Sequence, residues 1–82
     1  MSYADDVRKY CKDNIIDPAR TRGEQQIEIR AGDIHTAMGY QSRMPLVCAA
    51  LGANKFEEIA GVERVSITGP TNGANAIFTL VV

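Results

Sequence analysis

The stretch that most constrains the fold is RAGDIHTAMGYQSRMPLVCAAL, residues 30–51. Ile34 and Met38 are one helical turn apart, and Gly39 follows them as a residue that tolerates the left-handed backbone at which many helices end. A second apolar periodicity follows, with Pro45 in a position suited to a first helical turn. The stretch therefore predicts two short helices joined by a tight glycine turn, a unit suited to docking on another molecule.

The second helix of this pair has a predicted buried face and a predicted exposed face. Asp33 is expected to cap or enter the first helix, and Ser42 is expected to be the N-cap of the second. The apolar spacing predicts that the second helix buries Met44, Val47, Cys48 and Leu51. The opposite side would then present Leu46, Ala49, Ala50 and Ala53. Alternatively, the alanines pack under the segment that follows and do not meet solvent.

Helical periodicity also appears at both sides of the central stretch. The spacing of apolar residues predicts an amphipathic helix from about Ser2 to Ile16, ended by Asp17-Pro18 because the residue before proline disfavours helical backbone. Ala19–Gln25 is expected to be a loop or a single helical turn. Asn54–Gly61 is expected to be a helical continuation or a separate turn that Gly61 ends. Its predicted inward-facing residues are Phe56 and Ile59.

Three segments alternate between apolar and polar residues, as half-buried strands do. They are Gln26–Arg30, Glu63–Thr68 and Ala76–Val82. The turn-rich segment Gly69–Asn75 lies between the last two and predicts a hairpin loop. The first strand is too short to stand alone, so its partner must come from the carboxy-terminal third.

Size and composition indicate one small soluble domain over residues 1–82, because so short a chain cannot support two cores. Hydrophobic residues make up 45% and charged residues 23%, which is typical of a globular protein. No apolar run approaches the roughly 20 residues that span a bilayer, and the amino terminus is charged where a signal peptide is apolar. We therefore expect a cytoplasmic protein without membrane contact.

Few residues point to chemistry. Cys11 and Cys48 lack the spacing of a metal or redox motif and are interpreted as small buried residues on helices, although spacing alone also permits a disulfide. His35 is the single histidine, lies near Asp33, and is expected to be a surface or cap-adjacent residue. We expect no enzyme activity, no cofactor, no metal site and no small-molecule substrate.

The predicted order is helix, strand, helix, helix, strand, strand. With Ile34, Met38, Gly39, Val47, Cys48 and Leu51 in the helix-turn-helix positions, this order resembles the winged helix-turn-helix superfamily across almost the whole chain. The resemblance implies an α+β fold with a three-helix core and a small antiparallel sheet. In that family the second helix of the pair usually enters the DNA major groove, and the hairpin loop, the wing, contacts the backbone or minor groove.

Carried over to this chain, the resemblance implies a docking surface on the second helix and a wing tip at residues 71–75. The implied docking residues are Gln41, Ser42, Arg43, Leu46, Ala49 and Ala50. His35 departs from the family pattern, because many such motifs have a small residue four positions before the turn glycine. The exposed face of the second helix departs further, since alanine and leucine cannot donate hydrogen bonds to base edges.

Two functions follow as hypotheses. The first is weak duplex DNA binding with a regulatory role, for which the expected contact residues are Gln41, Ser42, Arg43, Arg20, Arg22, Asn72 and Asn75. The formal net charge of −1 means that such binding needs a local basic cluster. The second is a protein-interaction or self-association domain that keeps the fold without binding DNA. Its expected apolar contact residues are Leu46, Ala49 and Ala50.

Overall fold

The amino-terminal helical segment continues through the proline that was expected to end it. The computed structural model describes residues 2–70 and 72–82. Helix α1 spans Tyr3–Cys11 and begins as expected at Ser2, whose hydroxyl accepts the Asp5 N–H at 3.1 Å. A π-helical turn at Lys12–Ile16 then leads into α2 at Asp17–Thr21.

The π-helical turn explains why Pro18 does not break the helix. The Asp17 N–H donates to the Lys12 carbonyl, five residues back, so the helix is widened immediately before the proline. A widened turn makes room for the proline ring, and Pro18 lies in the first turn of α2, where its missing N–H costs least. The predicted helix end at Asp17-Pro18 is therefore wrong.

The three predicted strands form one antiparallel sheet in the order β1-β3-β2. They are β1 at Gln26–Arg30, β2 at Glu63–Thr68 and β3 at Ile77–Val81. Phe78 of β3 lies opposite Ile29 of β1 and Ile67 of β2, so these three side chains are on the same face of the sheet. The hairpin and the carboxy-terminal partner for the first strand are confirmed. A register shift between Arg64 and Ser66 leaves Val65 as an extra residue in β2.

The central stretch folds into two helices separated by a glycine turn, as predicted. The remaining helices are α3 at Ala31–Ala37, α4 at Met44–Gly52 and α5 at Asn54–Ala60. Gly39 has a φ of +69°, the left-handed conformation expected at the turn, and Asp33 lies in the first turn of α3. Ser42 is not the N-cap of α4. It also adopts a left-handed φ, +54°, and Arg43 takes the N-cap position.

The helices and the core face of the sheet enclose one apolar core. Its largest fully buried side chains include Val7, Ile16, Ile29, Val47, Leu51, Phe56, Phe78 and Leu80. Two expectations about the helix faces are wrong. Ala50 is completely buried because α1 packs against α4 at this position, and Ile59 is 41% exposed because Phe56 and Ala60 form the buried face of α5.

Both cysteines are free and buried, which confirms their interpretation as small core residues on helices. Burial raises the pKa of the Cys11 thiol to about 12 and also raises the pKa of Cys48. A raised pKa leaves little thiolate at neutral pH, so neither thiol is activated as a nucleophile. Within the described residues, no helix has the length and apolar character needed to cross a membrane.

Two arginines hold the carboxyl end of α4. Arg8 of α1 is only 8% exposed, and its Nε donates to the Ala50 carbonyl at 3.1 Å. Arg64 of β2 donates from Nη1 to the Leu51 and Ala53 carbonyls at 3.3 and 3.4 Å. The last carbonyls of a helix have no partner within the helix, and its carboxyl end favours positive charge. These arginines therefore join α1 and β2 to the end of α4.

Replacing Arg8 with Met should lower the free energy of unfolding by about 2–4 kcal/mol, because a buried carbonyl loses its charged donor. The matched control is Arg22→Met, which removes an arginine whose contact, with Glu24, is exposed. That change should cost no more than about 0.5 kcal/mol. Urea unfolding followed by circular dichroism measures both, and equal losses in the two variants would contradict the assigned role of Arg8.

Candidate functional site

The turn between α3 and α4 presents the polar residues expected at a docking surface. Gln41, Ser42 and Arg43 are all exposed. The Arg43 guanidinium lies over the Tyr3 ring, 4.4 Å from its centroid, and the Tyr40 ring meets Tyr3 edge-on at 6.0 Å. A cation over an aromatic face is attracted by the ring, so Tyr3 holds the Arg43 side chain at this surface. The three residues therefore form one corner of the molecule, at the amino end of α4.

His35 connects this corner of the molecule to α3. Its Nε2 accepts the backbone N–H of Arg43 at 3.1 Å, and its ring packs edge-on against Tyr40 with centroids 6.2 Å apart. His35 thus connects α3 to the N-cap residue of α4, which makes it a cap-adjacent histidine, as the sequence predicted. A small residue at this position could not make that hydrogen bond.

The other two predicted DNA-contact arginines already have partners within the chain. Arg20 donates from Nη2 to the Gly61 carbonyl at 2.6 Å and lies 3.6 Å from an Asp17 carboxylate oxygen. Arg22 donates from Nε to Glu24 at 2.9 Å. Neither shares a partner with Arg43. Both side chains remain exposed and keep further N–H donors, so a phosphate would compete with these acceptors for only part of each guanidinium.

The same pattern extends to the whole described chain. Every lysine and arginine except Arg43 has a carboxylate oxygen within 3.9 Å. Four carboxylates have no lysine or arginine partner among these residues: Asp6, Glu28, Glu58 and Glu63. Asp5 and Asp17 each pair with two cations, so the formal net charge of the whole chain stays at −1. A net charge this close to zero gives no long-range attraction for a polyanion.

The hairpin loop is attached to the start of α3. Asn75 accepts hydrogen bonds at Oδ1 from Nε and Nη2 of Arg30, at 3.2 and 2.9 Å. Asn72 has a left-handed φ of +57°. Both predicted wing residues are exposed, and Asn75 also fixes the loop through its contact with Arg30. Thr71, which was included in the predicted wing tip, lies outside the described residues.

Backbone hydrogen bonds fix the same contact between loop and helix. The N–H groups of Ala31 and Gly32 donate to the carbonyls of Ala76 and Ala74, both at 2.9 Å. A Cβ at Gly32 would lie only 2.8 Å from the Ala74 oxygen, so the approach depends on glycine. These donors at the start of α3 are consequently occupied and do not present an anion site.

The exposed side of α4 borders an apolar groove that the sequence did not predict. Ala49 is exposed as expected, whereas Leu46 is half-buried. The groove has a volume of about 370 Å³ and lies between α4, β2 and the hairpin loop. Its lining includes Cys48, Ala49, Gly52, Ile67, Pro70 and Phe78. Ile67 is 52% exposed, although it is aliphatic and lies beside the buried Phe78.

Strand β2 forms one edge of the sheet next to this groove. Val65 and Ile67 are both about half exposed, at 49% and 52%. The backbone N–H of Arg64 donates to Glu57 Oε1 at 2.9 Å, so the beginning of the edge is covered by a carboxylate. The alternation of Val65 and Ile67 with polar residues predicted a strand, but only the sheet order reveals that this strand is an edge.

Comparisons with known proteins assign no family to the chain. No protein-family model matches it, and searches of curated proteins and of solved structures found no match either. Within the residues that the structure describes, no three or more His, Cys, Asp or Glu side chains are grouped so that they could hold a metal ion.

Replacing His35 with Phe should lower the free energy of unfolding by about 1 kcal/mol, because the Arg43 N–H loses its acceptor within the chain. His35→Gln is the matched control, since glutamine can still accept a hydrogen bond and should retain part of the stability. Urea unfolding measures the stability, and hydrogen exchange at the Arg43 amide reports the bond directly. Unchanged exchange at this amide in His35→Phe would contradict the assigned contact.

Proposed function

We propose that this chain is a protein-interaction domain of winged-helix-like architecture, which contacts its partner through the groove between α4 and β2. The element order and the hairpin support the winged-helix assignment, with α5 as an additional helix between the helix pair and the hairpin. The second helix of the pair is then used for an apolar contact, and DNA is not its ligand.

The observation that carries the proposal is the chemistry of the face around Ala49, an exposed residue of the docking surface that the resemblance implies. That face has Ala49 and Gly52 on α4 and Ile67 on β2, around a groove whose floor includes Phe78. None of these side chains can donate a hydrogen bond to a base edge. Exposed aliphatic side chains around a concave surface are typical of protein contacts. Burying the exposed half of Ile67 would contribute about 1 kcal/mol.

The distribution of charge supports the same conclusion. DNA affinity arises largely from lysine and arginine side chains that release counterions from the phosphates. In the described chain, all such side chains except Arg43 already lie near a carboxylate, and the groove lining contains no charged residue. The apolar contact surface differs from the one expected from the sequence, because Ala50 is buried and Ile67 is added.

A charge placed in the groove should abolish peptide binding. A displayed library of random peptides is selected on the wild-type domain, and the retained peptides are tested against Ala49→Glu. Ala49 is exposed, so the change should leave the fold intact and weaken binding by at least about tenfold, since an unpaired charge would be desolvated. Ala37→Glu, at an exposed position of α3, is the control and should bind like wild type.

Isothermal titration measures the affinities, and circular dichroism confirms that both variants fold. The proposal is overturned if the library yields no peptide that wild type binds, or if every retained peptide binds Ala49→Glu and wild type equally.

Weak binding of duplex DNA is a second candidate function, favoured by the corner at the start of α4. Arg43 has no carboxylate partner in the described chain, and the exposed Gln41 and Ser42 lie beside it in sequence. Fluorescence anisotropy with a labelled 20-base-pair duplex at about 50 and 200 mM salt should show affinity that falls with salt and is lost in Arg43→Glu. Absence of binding at the lower salt concentration would eliminate this candidate.

A further inference from the structure

We propose that the ligand of the groove is an extended segment of a partner protein, which adds as a strand to β2 at Val65–Thr68. The segment has an aliphatic side chain over Ile67 and a lysine or arginine near Glu63. This inference rests on the proposed protein-interaction function and specifies the chemistry of the partner.

The open edge of β2 defines where the segment binds. In the sheet order β1-β3-β2, only β3 pairs with β2, so no strand of the described chain covers its other side. Glu57 already accepts the Arg64 N–H, which closes the beginning of this edge. Strand addition therefore starts after Arg64, over the stretch that borders the groove. An exposed edge of this kind is used for main-chain recognition of extended peptides.

The groove defines the side chain that the segment places there. Ile67 lies opposite Phe78 in the β2–β3 register, so both are on the core side of the sheet, where Phe78 and Ala49 line the groove. A neighbouring strand would place one of its side chains beside Ile67. Because the groove lining is apolar apart from Asn72 and backbone groups, an aliphatic side chain fits this position and a charged one does not.

The unpaired carboxylate at the start of β2 defines the charge of the segment. Glu63 is exposed and has no lysine or arginine partner among the described residues. The adjacent Arg64 cannot neutralise it, since Arg64 is directed to Glu57 and to the carbonyls at the end of α4. A cation just beyond the paired stretch of the incoming segment would lie near Glu63 and supply an opposite charge.

A second copy of this chain does not fit the same requirement. Its β2 would offer Arg64 as the only cation of the strand, and that side chain is already held by three acceptors. Pairing of two β2 strands would leave both Glu63 carboxylates without a cation. The occupant is therefore a different protein segment.

The test uses two synthetic ten-residue peptides of alternating valine and threonine, one ending in two lysines and the other in two glutamates. Titrated into ¹⁵N-labelled domain, the lysine peptide should shift the amide signals of Val65–Thr68. It should bind at least about threefold more tightly than the glutamate peptide, because its terminal lysines lie near Glu63, whereas terminal glutamates would repel it. In Glu63→Lys, the glutamate peptide should bind more tightly than the lysine peptide. The control Glu28→Lys changes an unpaired carboxylate on the opposite edge strand, β1, and should leave the preference for the lysine peptide unchanged.

Three results would overturn the inference: amide shifts confined to other elements, an unchanged peptide preference in Glu63→Lys, or a dimer in sedimentation that Ile67→Asp dissociates. Library peptides could bind wild type and lose affinity for Ala49→Glu while Glu63→Lys leaves the preference for the lysine peptide unchanged. In that case strand addition to β2 is wrong and the protein-interaction function is retained. If no library peptide binds wild type, the proposed function itself fails.

Discussion

The carboxyl end of α4 is the point on which the arrangement of the other elements depends. Its last carbonyls have no partners within the helix, and the residue that follows, Ala53, is extended. Arg8 reaches the end from α1 and Arg64 reaches it from β2, so the first helix, the helix pair and the sheet meet there. Without these two side chains, the Ala50 and Leu51 carbonyls would lose their donors, at a cost of about 1–3 kcal/mol each, whereas the Ala53 carbonyl also accepts the Phe56 N–H.

The use of arginine at helix ends changes what the surface can bind. Arg20 repeats the arrangement at the end of α5, where it donates to the Gly61 carbonyl. An arginine that satisfies a helix carbonyl and pairs with a carboxylate contributes little net positive field outside the protein. The chain therefore contains nine lysines and arginines but presents chiefly Arg43 without a carboxylate. Composition alone could not distinguish these uses, since it counts charges without their partners.

The sequence predicted features that depend on local backbone chemistry. The N-cap at Ser2, the left-handed Gly39 and the three strands are encoded by neighbouring residues, and all are present in the structure. It also indicated the α+β class and the sheet, which follow from the order of those elements.

The wrong predictions concern residues whose environment is set by distant parts of the chain. Ala50 was expected to be exposed because periodicity assigns one buried face to α4, whereas α1 covers a second side of that helix. Pro18 was expected to end a helix because the rule is local, whereas a π-helical turn before it relieves the clash. The groove could not be predicted either, because it joins Ala49 to Ile67, which are far apart in sequence and meet only through the sheet order.

The groove is open partly because its lining includes small residues such as Gly52. A Cβ at Gly52 would lie 3.9 Å from the Phe78 ring, an ordinary van der Waals distance, so alanine would fit without strain. Glycine in a helix interior costs up to about 1 kcal/mol relative to alanine, and the cost is smaller at Gly52, the last residue of α4. The chain therefore has glycine where a more stabilising residue would partly fill the space beside Phe78. Binding sites are commonly less stable than their packing would allow, because residues that leave space for a ligand pack less tightly. Packing requirements alone do not account for the glycine, and the space that it leaves is consistent with the proposed binding of a partner side chain in the groove.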